Sequence, residues 1–84
     1  MKPVRVYTTP ICGYCTVAKR LLTEHDIPFE EIDVANDFEK RAWLVETTGQ
    51  RTVPQIFIGD ESIGGYQELA ALSRSGSLLP KLEG

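Results

Sequence analysis

Hydrophobic and polar positions along this chain recur with two different periods. Residues 4–7, "VRVY", combine β-branched and aromatic side chains, which predicts a strand. Between residues 14 and 24 the apolar side chains return at spacings of three and four, which predicts a helix with one apolar face. That face is formed by Tyr14, Val17, Ala18, Leu21 and Leu22.

The same succession of strand and helix patterns continues through the middle of the chain. "FEEID", at about residues 29–33, predicts a second strand, and "ANDFEKRAWLVETTG", residues 35–49, predicts a second helix. In that helix Asn36 and Glu39 have the spacing of a capping box. Gly49 is a suitable residue to end the helix.

Two short strands and a third helix complete the pattern. Residues 54–58 and 61–63 predict strands joined by a turn at 59–60, and the glycines at 64–65 open a helix. Residues 76–82 predict a final helical turn. The order β-α-β-α-β-β-α predicts an α/β fold with a small mixed sheet flanked by helices, because a βαβ unit gives parallel strands and a hairpin gives antiparallel ones.

Composition and charge narrow the classes of function. A chain of 84 residues predicts a single domain, residues 1–84. The formal net charge of -3 makes a nucleic-acid partner a poor match, since the chain has no basic surface to neutralise phosphates. No apolar stretch has the length of a signal peptide or a membrane span, so we expect a cytoplasmic protein without membrane contact.

The two cysteines, Cys12 and Cys15, lie in "CGYC", where the first strand pattern gives way to the first helix. A structural zinc site needs four ligands, and with His25 as the only histidine the set is one ligand short. A structural disulfide would close a very small loop, which constrains the unfolded chain little. A redox-active pair needs only the C-x-x-C beside a βαβ pattern, and we favour it in a reducing compartment.

The positions of the two sulfurs predict different roles for them. Cys12 lies at the start of the helix, where free N–H groups and the helix dipole stabilise a thiolate and lower its pKa below about 8.5. The thiolate is the attacking species in thiol–disulfide exchange. Cys15 lies one turn further, is expected to be sheltered, and suits the resolving role. Tyr14 is either a core aromatic or a wall beside the substrate sulfur.

Two other features have a structural and a functional interpretation, and the residues alone decide neither. Pro54 is either an ordinary strand-start proline or part of a cis Val53–Pro54 bond that exposes the backbone of Val53. Gly64 and Gly65 form either a plain turn or a helix start that admits a carboxylate.

Four segments together resemble the small dithiol glutaredoxins of bacteria: "VYTTPICGYC", "FEEIDV", "GQRTVPQIFIG" and "IGGYQELAAL". Their order and spacing are specific, although C-x-x-C alone is not. The resemblance covers essentially the whole chain and implies a thioredoxin-like fold with a four-stranded sheet. It also implies a cytoplasmic, monomeric enzyme that uses glutathione to reduce protein disulfides and protein–glutathione mixed disulfides. Ribonucleotide reductase is one candidate partner.

The resemblance also implies a role for each site residue. Cys12 would be the nucleophile and Cys15 the resolving thiol. The Val53–Pro54 bond would be cis, and Val53 would pair with the cysteinyl part of glutathione. The helix start at residues 65–67 would take the γ-glutamyl carboxylate, and Gln50 would lie near the glycyl carboxylate. The implied glutathione contacts are Tyr14, Gln50 with Arg51 as a helper, Val53, Pro54, Gly65, Tyr66 and Gln67.

The sequence departs from the commonest glutaredoxin pattern in three places. Gly13 stands where proline is more usual, and Thr9 stands where many members carry a lysine. Tyr66 and Gln67 replace a small residue and an aspartate. From these departures we expect a smaller decrease of the Cys12 pKa and weaker contacts with glutathione, with Tyr66 packing over the tripeptide as partial compensation.

Three alternatives remain to the glutathione-dependent enzyme. A [2Fe–2S] cluster between two chains would use Cys12 of each chain and two glutathiones, and the flexible Gly13 permits it. The protein could instead be a hydrogen donor served by thioredoxin reductase, or could use another low-molecular-weight thiol. The "GGYQEL" segment and Gln50 favour glutathione over thioredoxin reductase, and the intact glycine pair favours it over another thiol.

Overall fold

The computed structural model describes residues 1–84 and confirms the predicted order of elements, with the final turn extended into a fourth helix. None of the helices has both the length and the apolar composition that crossing a membrane would need. The strands are β1 (Val4–Thr8), β2 (Glu30–Asp33), β3 (Gln55–Ile58) and β4 (Glu61–Gly64). The helices are α1 (Gly13–Glu24), α2 (Phe38–Thr48), α3 (Tyr66–Arg74) and α4 (Leu78–Glu83).

The four strands form one mixed sheet in the order β2-β1-β3-β4. β1 and β2 are parallel and are joined through α1, whereas β3 runs antiparallel to both β1 and β4. The hairpin between β3 and β4 turns at Gly59, whose φ of 60° is a conformation that glycine adopts readily. The small mixed sheet flanked by helices is therefore confirmed.

Alternate side chains of β1 and β3 point to opposite faces of the sheet and build two apolar clusters. Truncating a buried aliphatic side chain in such a cluster to alanine costs about 2–5 kcal/mol of unfolding free energy. The larger cluster, which includes residues of α1, α3 and α4, consists of Val4, Val6, Ala18, Leu22, Ile27, Ile56, Ile58, Leu69, Leu78 and Leu82. The smaller cluster lies on the α2 face and consists of Tyr7, Val34, Leu44 and Phe57.

The buried face of α1 begins one residue later than the apolar pattern predicts. Its buried residues are Cys15, Ala18 and Leu22, whereas 62% of Tyr14 is exposed. The interpretation of Tyr14 as a core aromatic is therefore wrong, because the small Cys15 side chain occupies the inward position at this end of the helix.

One carboxylate of the outer strand β2 bonds to both α1 and β1. Lys19 Nζ of α1 lies 3.0 Å from Glu31 Oε2 of β2, and Thr8 Oγ1 donates to the same oxygen at 3.0 Å. The hydrogen bond from Lys19, followed by that from Thr8, holds the pKa of the Glu31 carboxyl below its ordinary value. Since this pair is partly exposed, it contributes only about 0–1 kcal/mol to stability.

Helix α2 begins three residues later than predicted and has a different cap. Asp37, not Asn36, is the N-cap residue, and its Oδ1 accepts a hydrogen bond from the N–H of Lys40 at 3.0 Å. The capping box predicted for Asn36 and Glu39 is therefore wrong. At the other end Gly49 is in the left-handed conformation, with φ of 74°, which confirms it as the stop.

Replacing Asp37 by alanine should lower the free energy of unfolding at neutral pH. The N–H of Lys40 loses its acceptor, and the positive end of the helix dipole loses a carboxylate. Urea denaturation followed by circular dichroism measures the change. Asn36→Ala is the matched control, because Asn36 is exposed and lies outside the helix. A larger loss in Asn36→Ala than in Asp37→Ala would contradict the assignment of the cap.

The stabilisation by Asp37 should also depend on pH in one direction. The hydrogen bond from the Lys40 N–H holds the pKa of Asp37 below its ordinary value of 3.8. Its stabilisation is therefore complete above that unfolded-state value and is lost as the pH falls through the lower folded-state pKa. The difference between the native chain and Asp37→Ala should shrink in acid. A difference that stays constant well below the ordinary value would show that the carboxylate is not its cause.

Candidate active site

Cys12 is the N-cap residue of α1 and lies in the loop that follows β1. Its backbone is extended, and its Sγ accepts a hydrogen bond from the N–H of Cys15 at 3.1 Å. The sulfur thus takes the position that a serine or aspartate oxygen occupies in most helix caps. Cys12 and Cys15 form a disulfide in this structure. The sulfur of Cys12 is therefore placed where the helix terminus stabilises a thiolate once the disulfide is reduced.

The two sulfurs differ sharply in accessibility. Only 2% of Cys15 is exposed, because it faces the sheet as part of the buried side of α1. Cys12 is half-buried and lies in the loop before the helix. A reactant from solution therefore meets Cys12 first. Cys15 is accessible to Cys12 but not to a reactant from solution.

The loop before β3 forms the opposite side of the site. Cys12 Sγ lies 3.6 Å from the carbonyl oxygen of Val53, and the Val53–Pro54 bond is cis, as the family resemblance implies. Val53 lies outside the strands, and its N–H and C=O make no hydrogen bond with another backbone group. An extended backbone segment attached to Cys12 would find both groups of Val53 available for pairing.

Two tyrosines lie at the starts of α1 and α3. Tyr14 of the C-G-Y-C motif and Tyr66 at the start of α3 stack with ring centroids 6.1 Å apart and an angle of 24° between their planes. Tyr14 is mostly exposed, while Tyr66 is half-buried. The pair joins the first turn of α1 to the first turn of α3. This arrangement supports the interpretation of Tyr14 as a wall of the site.

The start of α3 carries a carboxylate of its own. Gly65 is the N-cap residue, and its N–H donates to Glu68 Oε1 at 2.7 Å. A Cβ added at Gly65 would lie 3.4 Å from the carbonyl oxygen of Pro54, an ordinary van der Waals contact, so this residue lies beside the loop of Pro54. Gln67 is exposed one position beyond Tyr66. Sequence analysis missed Glu68, although its spacing of three from Gly65 is that of a capping box.

A groove of about 380 Å³ runs between α2 and the loop that contains Val53. Its charged residues are Arg41 and Arg51, and no acidic residue lines it. Sequence analysis named Gln50, Arg51 and Val53 but missed Arg41, which could be found only from its position on the groove side of α2. The groove residues are Val34, Phe38, Arg41, Ala42, Leu44, Val45, Gln50, Arg51, Thr52 and Val53.

The structure contains no group of three or more His, Cys, Asp or Glu side chains placed to hold a metal ion. The residues brought together near Cys12 are instead a second thiol, a backbone carbonyl and two aromatic rings. Their chemistry is that of sulfur exchange, with a thiolate, a neighbouring thiol to displace a bound partner, and backbone groups to hold a peptide.

Comparison with known proteins assigns the chain to a family. The model of the Glutaredoxin family matches residues 4–63. The chain belongs to the glutaredoxin family. A glutaredoxin of Pseudomonas aeruginosa is 46% identical over 78 residues, which cover 93% of this chain and 93% of that protein. Glutaredoxin 3 of Escherichia coli is 40% identical over 83 residues, which cover 99% of this chain and 100% of that protein.

Structural comparison agrees with this assignment. The crystal structure of a buckwheat glutaredoxin–glutathione complex matches with a TM-score of 0.89 at 34% identity, covering 98% of this chain and 77% of that one. The thioredoxin-like fold of the glutaredoxins, expected from the sequence, is therefore confirmed. As a glutaredoxin with a C-x-x-C pair, the protein is a thiol–disulfide oxidoreductase.

Alkylation of the reduced glutaredoxin should discriminate between its two thiols. A single equivalent of iodoacetamide should label Cys12, because its sulfur is accessible and is stabilised as a thiolate at the helix cap. Peptide mapping by mass spectrometry identifies the labelled residue. In the control variant Cys12→Ser the buried Cys15 should react slowly unless the protein is unfolded. Predominant labelling of Cys15 in the folded native chain would contradict the assigned roles.

Proposed function

We propose that this glutaredoxin uses glutathione to reduce protein disulfides and protein–glutathione mixed disulfides in the cytoplasm, with residues 1–84 acting as one domain. The observation that carries the proposal is the position of Cys12. Its sulfur lies 3.6 Å from the carbonyl oxygen of Val53, which has no backbone hydrogen bond. Val53 also lines the groove that contains Arg41 and Arg51. A tripeptide with a central cysteine and an anionic end fits this arrangement, with its sulfur at Cys12, its backbone at Val53 and its anionic end beside the arginines.

The reaction on a glutathionylated protein needs only Cys12. Its thiolate attacks the glutathione sulfur, the S–S bond breaks, and the protein sulfur leaves and takes a proton. Cys12 then holds glutathione as a mixed disulfide. The thiolate of a second glutathione attacks the bound glutathione sulfur, which releases oxidised glutathione and restores the Cys12 thiolate.

A protein disulfide uses both cysteines. Cys12 attacks one sulfur of the protein and displaces the other as a thiol. Cys15 then attacks Cys12 Sγ, displaces the second protein sulfur, and produces the Cys12–Cys15 disulfide that the structure contains. One glutathione thiolate opens this disulfide at Cys12, and a second removes the first as oxidised glutathione.

The two ends of glutathione fit different parts of the site. The γ-glutamyl carboxylate binds at the start of α3, where Gly65 N–H is already taken by Glu68 and the N–H groups of Tyr66 and Gln67 remain. The carboxylate of Glu68 supplies an acceptor for the γ-glutamyl ammonium, which offsets the aspartate absent at residue 67. Helix N-termini favour carboxylates in this way.

The glycyl carboxylate binds in the groove beside Val53. Gln50 and Arg51 were expected there, and Arg41 adds a second positive charge from α2. These arginines offset the absence of a lysine at Thr9. A carboxylate that meets a guanidinium forms a charge-assisted hydrogen bond of about 1.5–3 kcal/mol when buried, and less at this open groove.

Turnover of a glutathionylated peptide, coupled to glutathione and glutathione reductase, tests the proposal. The native chain should be active and Cys12→Ser inactive, since no other accessible thiolate can replace Cys12. Cys15→Ser should retain activity with the peptide and lose it with a protein disulfide, because only the second reaction needs a resolving thiol. If the native chain is inactive with glutathione but is reduced by thioredoxin reductase, the proposal is contradicted and the hydrogen-donor alternative is favoured.

Removing the groove arginines should weaken substrate binding without changing the chemistry. In Arg41→Ala and Arg51→Ala we expect KM for the glutathionylated peptide to rise by up to about fivefold each, the effect of one exposed ion pair. The value of kcat should stay the same, and high salt should reduce the difference. Arg20→Ala is the control, because Arg20 is an exposed arginine of α1 outside the groove. Equal effects in all three variants would indicate long-range attraction rather than a binding site.

A further inference from the structure

Gln55, the first residue of β3, carries a completely buried primary amide. Its exposed fraction is 0%, and it follows Pro54 directly. Alternation along β3 turns its side chain to the same face of the sheet as Phe57, the face covered by α2. A buried amide has two N–H donors and one carbonyl acceptor that need partners.

The nitrogen of this amide is bound to the loop that carries the proposed glutathione contacts. Gln55 Nε2 donates to the carbonyl oxygen of Thr52 at 2.9 Å and to Gln50 Oε1 at 3.1 Å, with Thr52 Oγ1 at 3.3 Å. The backbone carbonyl of Thr52 can only accept a hydrogen bond. The group that faces it must therefore be the amide nitrogen, which fixes the orientation of the Gln55 amide.

The orientation of the Gln50 amide follows from that of Gln55. Because Gln55 presents a donor, the atom of Gln50 that faces it must be the acceptor Oε1, and the NH2 group of Gln50 points away. Gln50 lines the groove that contains Arg41 and Arg51, so its donors are the part of the amide left to face a ligand there. The backbone of Gln50 is also held, since its N–H donates to Thr48 Oγ1 at 3.1 Å.

We propose that Gln55 is a positioning residue that locks the Gln50 amide with its donors toward the groove, and so makes the groove select a carboxylate over a neutral amide. The proposal rests on the proposed glutathione-dependent function. A freely rotating Gln50 could turn its Oε1 to an amide ligand and its NH2 group to a carboxylate. A locked Gln50 leaves the N–H groups of an amide ligand facing donors, which disfavours that ligand.

The burial of Gln55 supports a role beyond folding. Its own Oε1 is buried without a hydrogen-bond partner. Burying an unpaired acceptor lowers stability, so apolar packing alone does not account for a glutamine at this position. What the glutamine supplies in return is the set of hydrogen bonds from its nitrogen to Thr52 and Gln50.

Paired substrates test this role. A peptide mixed disulfide is prepared with glutathione and with the analogue whose glycyl carboxylate is amidated, and kcat and KM are measured for both. The native chain should prefer the carboxylate in kcat/KM. In Gln55→Met, which has similar length and no donors, that preference should fall by about fivefold through KM with kcat unchanged, the size of one partly exposed charge-assisted hydrogen bond.

The variants Gln50→Ala and Gln50→Ala/Gln55→Met show whether Gln55 acts through Gln50. Gln50→Ala should lose the same preference, and the double variant should lose no more than either single one. An unchanged carboxylate preference in Gln55→Met would overturn the proposal. A further loss of preference in the double variant would overturn it as well, because Gln55 would then act independently of Gln50.

Nuclear magnetic resonance of the isotope-labelled native chain separates this inference from the proposed function. The side-chain amide protons of Gln55 should exchange slowly with solvent. N-acetylglycine should shift the side-chain amide signal of Gln50 and N-acetylglycinamide should not. In Gln55→Met the difference between the two probes should become smaller, although the groove arginines still favour the carboxylate. If the native chain shows these shifts but does not turn over glutathione substrates, the proposed function is refuted and the positioning role of Gln55 is retained. Rapid exchange at Gln55, or equal shifts with both probes in the native chain, would refute the positioning role itself.

Discussion

The antiparallel pairing of β1 with β3 is the constraint on which the rest of the structure depends. In its register Tyr7 faces Gln55, so the chain leaving β1 and the chain entering β3 meet at one edge of the sheet. Cys12 and Val53, 41 positions apart in the sequence, thereby come within 3.6 Å. A slip of one residue would turn the side chains of β3 to the opposite faces. The apolar clusters that fix the register therefore also assemble the site.

Local patterns in the sequence predicted the elements well, and their errors have local causes. Asn36 and Asp37 are neighbours with equal capping ability, and only the packing of α2 decides which one precedes its first turn. Tyr14 was included in the apolar face of α1 because it is aromatic, whereas the inward position belongs to Cys15. Periodicity predicts that a helix has an apolar face. Which residue begins the buried part of that face depends on the space that the sheet leaves.

The parts of the site that sequence analysis missed come from distant segments or depend on side-chain conformation. Both cysteines could be assigned roles from one motif and its position at a helix start. Arg41 is one charged residue among many on a helix, and only the docking of α2 beside residues 50–53 brings it into the groove. The hydrogen bonds of Gln55 depend on a rotamer that no spacing rule specifies, whereas the capping-box spacing of Gly65 and Glu68 was present in the sequence. The family resemblance supplied a cis Pro54, which the residues alone left open.

A single lysine near the cysteine would place positive charge beside the ligand and also stabilise the thiolate. In this chain these two properties come from different residues. The net charge of -3 makes a nucleic-acid partner a poor match, yet the groove beside Val53 contains two arginines and no carboxylate. A concentration of one sign in a cleft attracts ligands of the other sign even when the whole chain has the same sign as the ligand. Because Thr9 carries no charge, the positive charge beside Val53 comes from α2 and the loop that follows it. Cys12 is itself the N-cap of α1, so the charge of the groove and the helix end that stabilises a Cys12 thiolate belong to different residues.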